Sequence, residues 1–178
     1  MSELRELILQ EYSKDHSVFI GEVLKQKTNL IPEFLDIVYL EEEPVSRRAA
    51  WSLRLLFDDS PRILSPFYDD LILHLETIKS PPILRAILAI ISKIKIEEKW
   101  YGFLLQYTTD AILSPQTEIA TKAFSMDIFF QIAKTQPDLF YELEQMIEHI
   151  YPDASKGVQN KCRNQLKWIE KMRAKAQN

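Results

Sequence analysis

A basic residue followed by a small one recurs along this chain at a nearly constant interval. The pairs are Arg48-Ala49, Arg85-Ala86, Lys122-Ala123 and Lys161-Cys162, spaced by 37, 37 and 39 residues. Each interval also holds two apolar-periodic stretches, and one helix pair per period of this length is the mark of a solenoid. A lone helical hairpin cannot bury its apolar face, so each unit must stack on its neighbours, and the repeat therefore constrains the fold more than any single residue does.

The punctuation agrees with helices. The 9 prolines, at positions 32, 44, 61, 66, 81, 82, 115, 137 and 152, fall between the periodic stretches, where helix starts and connections belong. With 3 glycines and no Asn-Gly, Asp-Gly or Gly-Gly step, strand hairpins have nothing to turn on. The pattern predicts a helix capped by Ser2 and running to about Tyr12, then one capped by Asp15 and running to about Gln26. Hairpins follow, pairing 29–41 with 44–58, 66–79 with 81–95, 98–113 with 115–135, and 138–151 with 155–176. Ser80-Pro81-Pro82 and Ser114-Pro115 place a capping hydroxyl before a proline whose missing N–H costs nothing at a helix start, and Glu43-Pro44 and Asp153-Ala154-Ser155 open the other second helices. The expected organisation is a single domain over 1–178, with capping helices in 1–27 and about four hairpins in 28–176.

Through the four basic–small pairs, and through second-helix segments such as SRRAAWSLRLLF and PPILRAILAIISKI, the chain resembles the HEAT and armadillo-like repeat family over roughly residues 29–176. The resemblance implies an all-α fold, a right-handed superhelix of about four to five antiparallel hairpins whose second helices line the concave surface. It also implies a non-catalytic scaffold that binds another protein. The family favours an aspartate near the turn and a valine just before the second-helix arginine, whereas Arg47, Leu84, Thr121 and Asn160 precede the basic positions here. A nonrepetitive helical bundle is the alternative architecture.

Composition narrows the function classes. Hydrophobic residues at 46% and charged residues at 27% are the proportions of a folded chain. A net charge of −4 gives no global attraction to phosphate backbones or anionic lipid, which disfavours nucleic acid as a partner. Cys162 is a single thiol, so it forms no internal disulfide, and with three scattered histidines it makes no zinc site, which suits a reducing, cytoplasmic setting. The segment MSELRELILQEY has no signal-peptide apolar region, and no apolar run approaches about 18 residues, so no membrane span is expected. With no phosphate-binding glycine loop, nucleophile elbow or Cys–His arrangement, the expectation is a protein without catalytic residues, cofactor or metal.

The candidate partner-binding residues are Arg47, Arg48, Trp51, Arg54, Arg85, Lys122 and Lys161. Equal spacing would stack Arg48, Arg85 and Lys122, with Lys161 near the same register, along one ridge. Such a ridge either grips an acidic peptide or other anionic partner, or pairs with carboxylates of adjacent repeats and holds the stack. Arg47, Trp51, Arg54 and Asp58 follow an i, i+4, i+7, i+11 course and share one helix face, with Ala49, Leu53 and Leu56 pointing elsewhere. A tryptophan between arginines is either a binding hot spot or a cover over the seam between hairpins. The helix near 82–96 is apolar almost all round and must be buried, as the centre of the stack or at a contact between copies; a homo-oligomer stays open but is not favoured. From Lys156 onward, seven basic residues (156, 161, 163, 167, 171, 173 and 175) face a single acid, Glu170. They could dock the last helix on acids such as Glu41-Glu42-Glu43, contact an anionic partner, or be solvated. Asp70 and His74 read as a surface pair.

A second function class comes from the same resemblance. Some DNA glycosylases acting on alkylated bases have a HEAT-like fold and use tryptophan, aspartate and arginine on the concave surface. Trp51, Arg47, Arg48 and Asp58 or Asp59 loosely resemble that set.

Overall fold

The computed structural model describes residues 2–176, and every regular element among them is a helix. The chain forms two compact units, one up to Ile94 and the other from Lys95.

In the first unit, α1 (Glu3–Leu9) and α2 (Lys14–Gln26) precede the pair α3 (Ile31–Tyr39) and α4 (Val45–Asp59) and the pair α5 (Tyr68–Leu73) and α6 (Pro81–Ile91). Helix α4 is the hub, packing on α1, α2, α3 and α6. Its buried side alternates small and large residues, with Ala49 and Leu53 fully buried and Leu56 and Phe57 nearly so, which lets neighbouring helices approach on more than one side. Helix α6 meets its expectation: Ile83 and every residue from Ala86 to Ile91 are buried.

The second unit holds α7 (Tyr101–Leu113) against α8 (Ile119–Ala133), and α9 (Phe140–Ile150) beside α10 (Lys156–Ala176). Met126, Phe129, Leu143, Cys162 and Ile169 belong to its core. Trp168 closes one side of that core, edge-on to Phe130 at 5.2 Å and to Phe140 at 5.8 Å.

A short 3-10 turn leads into each of α3, α5, α7 and α9: Thr28–Leu30, Pro61–Phe67, Glu98–Trp100 and Pro137–Leu139. It shortens the expected first helices, most of all the one over 66–79. There the 3-10 segment carries Pro66 inside it and α5 has only 6 residues. His74 ends α5 early, its Nδ1 meeting the Asp70 carbonyl at 2.8 Å, while the Thr77 hydroxyl donates to the His74 carbonyl. These side-chain bonds share carbonyls that also keep their backbone donors, His74 N–H on Asp70 and Ile78 N–H on His74.

Three caps differ from the sequence expectation. Ser13, not Asp15, caps α2, accepting from the His16 N–H at 3.0 Å; Asp15 lies in the first turn, where a negative charge favours the helix dipole. Ser114 closes α7, and its hydroxyl accepts from the Gln116 N–H, so α8 starts only at Ile119. Ser80 precedes α6 as expected but its side chain makes no capping bond; the Glu41 carboxylate instead accepts from the Lys79 and Ser80 N–H groups. Ser2 and Ser155 cap as expected, accepting from Arg5 and Val158. Among the described residues no helix is long and apolar enough to cross a membrane.

Candidate functional site

Four of the seven candidate residues lie on α4, and the structure adds a neighbour the sequence did not flag. The chain between α1 and α2 brings Tyr12 onto the outer face of α4, where its ring meets Trp51 edge to face at 5.7 Å. Tyr12 is 58% exposed and Trp51 half-buried, so together they form an aromatic pair at the surface. Arg47 and Arg48 lie over the Tyr12 ring, at 5.8 and 5.1 Å from its centroid.

The two arginines do different work. Arg47 is exposed and pairs one turn back with Glu43 at 3.1 Å. Arg48 is half-buried: its Nη1 donates to the Leu9 carbonyl at 3.1 Å, and its Nε is buried without a hydrogen bond. Leu9 is the last residue of α1, so Arg48 holds a helix C-terminus through a charge-assisted bond, where a cation is favourable. Farther along the face, Arg54 Nε pairs with Asp58 at 2.9 Å.

The remaining cations of the proposed ladder are not equivalent. Lys161 on α10 pairs with Asp127 on α8. Arg85 is half-buried on α6. Lys122, in the first turn of α8, makes no ion pair among the described residues and lines a cleft in the second unit. A different set of pairs, at a spacing of 34 or 35 residues, ties neighbouring repeats within each unit. Lys25 on α2 reaches Asp59 on α4 at 2.8 Å, Asp58 on α4 receives Lys93 at 2.7 Å, and Asp127 receives Lys161. The holding role weighed for the basic residues therefore falls mainly on lysines and aspartates one helical turn or more away from the 37-residue register.

These pairings shift the carboxylates. Burial alone would push Asp58 up, but hydrogen bonds from Lys93 and Arg54 outweigh it and hold the group below its ordinary value of 3.8; Asp59 is lowered chiefly by its bond from Lys25. For a carboxyl depressed in the folded state, the stabilisation is present above the unfolded value and lost as pH falls through the folded one. Unfolding of the wild type should therefore ease as pH drops below about 4, and Asp58→Asn should flatten that acid limb. Denaturant midpoints at pH 7, 4 and 3 check this; equal acid sensitivity in both proteins would take Asp58 out of the seam.

Both carboxylates that the glycosylase comparison would use are engaged, Asp58 by Arg54 and Lys93, Asp59 by Lys25 and the Ser60 hydroxyl. Glu42 and Glu43, considered as docking points for the basic tail, pair with Arg5 and Arg47, and Glu41 bonds backbone before α6. In the second unit Arg173 grips Glu144 with both Nη atoms at 2.7 and 2.8 Å, and Arg163 donates to the Tyr151 hydroxyl. Asp70 and His74 do share a face, and Tyr39 joins them: its ring stacks on His74 at 3.7 Å and its hydroxyl donates to Asp70 at 2.7 Å. Burial first, then the bond to Asp70, drives that hydroxyl well above its ordinary value of 10. No group of three or more His, Cys, Asp or Glu side chains that could hold a metal occurs among the described residues.

The paired helices of both units, and the lysine–aspartate pairs between neighbouring repeats within each, define a helical-repeat protein. The family model for the HEAT repeat domain matches residues 4–169, and the chain belongs to that family. HEAT repeat domains are typically non-catalytic and generally mediate protein interactions. No curated protein and no solved structure matches the chain.

Proposed function

We propose that residues 1–178 act as a single HEAT-like module, a non-catalytic scaffold in a reducing, cytoplasmic setting, and that its partner is a protein or acidic peptide segment. The contact surface is the outer face of α4 with Tyr12. The observation that carries this reading is the exposed Tyr12–Trp51 pair flanked by Arg47 and Arg54. Tyrosine, tryptophan and arginine are the residues that most often dominate binding energy, because they combine large area with directional polar contacts. Arg47 and Arg54 now pair with Glu43, just before α4, and with Asp58 in its last turn through exposed, weak pairs, which a partner's carboxylates can replace at little cost. Arg48 supports the surface by holding Tyr12 and Leu9, and Lys161 serves the stack.

The test is affinity capture from the source cell with wild type and a Trp51→Ala, Arg54→Ala variant of matching helicity and melting, followed by titration of the purified partner. Loss of about 2 kcal/mol or more, roughly a 30-fold weaker Kd, is expected for the variant. A captured partner that both proteins bind equally removes the site from α4. Steeply salt-dependent duplex binding lost with Trp51 would favour the nucleic-acid class instead.

A further inference from the structure

Lys122, placed by sequence on the ridge, belongs to a cleft of about 480 Å³ in the second unit, at the end where α7 passes to α8 and α9 to α10. Its volume falls in the roughly 300–1,000 Å³ range of ligand pockets. Leu113, Ile119, Ile150 and Val158 supply apolar wall, and Ile119 and Leu113, at 61% and 39% exposed, leave that wall open to a ligand. Lys122 and His149 are its basic side chains. Ile119 and Lys122 lie three apart on α8, so their Cβ atoms stand about 5–6 Å from each other on one helix face.

That adjacency in one cleft suits a ligand whose carboxylate and aliphatic side chain leave the same carbon. The geometry points to this cleft as a binding site for the C-terminal end of a polypeptide finishing in an aliphatic residue, with Lys122 taking the carboxylate and Ile119, Ile150 and Val158 the side chain. Charge complementarity selects the occupant: Lys122 makes no ion pair among the described residues, and Asp153 on the lining repels a second negative charge, so a monoanionic end fits better than an acidic run. The first turns of α8 and α10 border the cleft, and their N–H groups add to the preference for an anion. This site lies apart from the α4 face and does not depend on it.

The test uses the full chain labelled with 15N and three probes: acetyl-Ala-Leu with a free carboxylate, its C-terminal amide, and 4-methylpentanoate. Saturable shifts of the Ile119, Lys122, His149 and Val158 amides are expected with the free acid. The amide should bind about tenfold more weakly, the loss of one charge-assisted contact. Lys122→Ala should weaken the acid by a similar factor and Asp153→Asn should tighten it, each variant keeping the wild-type spectrum elsewhere. Equal shifts by acid and amide, no shifts in the cleft, or no response to either substitution overturns the proposal. Binding of 4-methylpentanoate as tight as the peptide also overturns it, in favour of a small carboxylic acid.

Discussion

Phe129→Ala is expected to lower the stability of the second unit by about 3–5 kcal/mol, the largest effect of any substitution considered. Phe129 is fully buried in the middle of α8, within the cluster that contains Met126, Leu143, Met146 and Cys162. Truncation removes the ring's transfer energy and leaves a cavity, and the second cost depends on how far the surroundings collapse. A neighbour in that core is tied across helices, the buried Gln165 donating to the Met126 carbonyl, which restricts collapse. Denaturant unfolding followed by the fluorescence of Trp168, which lies against Phe130 and Phe140, reads the loss directly. A variant within about 1 kcal/mol of wild type would mean the site refills by repacking.

Arg48→Glu is expected to cost about 2–3 kcal/mol, more than an ordinary surface change. The substitution removes the bond to the Leu9 carbonyl and the cation over Tyr12, and sets a carboxylate against a helix C-terminus that already carries partial negative charge. Amide exchange in α1 should quicken with the fall in melting temperature. Arg47→Ala, which removes only an exposed i,i+4 pair, should stay within about 0.5 kcal/mol. The pair of results decides which residues can report on binding: charge reversal at position 48 damages the frame that holds Tyr12, whereas changes at 47, 51 and 54 act on the surface. If Arg48→Glu melts like wild type, the α1 contact is not what orders the N-terminal segment.

The architecture was readable because its signals are local and repeated. The 37-residue interval, the prolines between helices, and the continuous apolar run from Ala86 to Ile91 each depend on nearby residues, and each matches the helices found. The candidate site was half readable. Helical spacing placed Arg47, Trp51, Arg54 and Asp58 on one face, but nothing in a period of 3.6 could place Tyr12 there, because it arrives by a fold-back of the chain between α1 and α2. The partners of Arg48 and Lys161 lie 39 and 34 residues away, so equal spacing of like charges said nothing about which were occupied. Ser114 was misplaced for a related reason: Ser-Pro opens a turn as readily as a helix, and the four residues before Ile119 spend it on the turn.

The last turn of α4 carries two adjacent carboxylates, Asp58 and Asp59, at the negative end of its own dipole, a placement an isolated helix disfavours. One carboxylate receives Lys93 from the following repeat and the other Lys25 from the preceding one. That turn is therefore a keystone: each carboxylate loses a compensating cation when its neighbour is missing, although Arg54 of the same helix still serves Asp58.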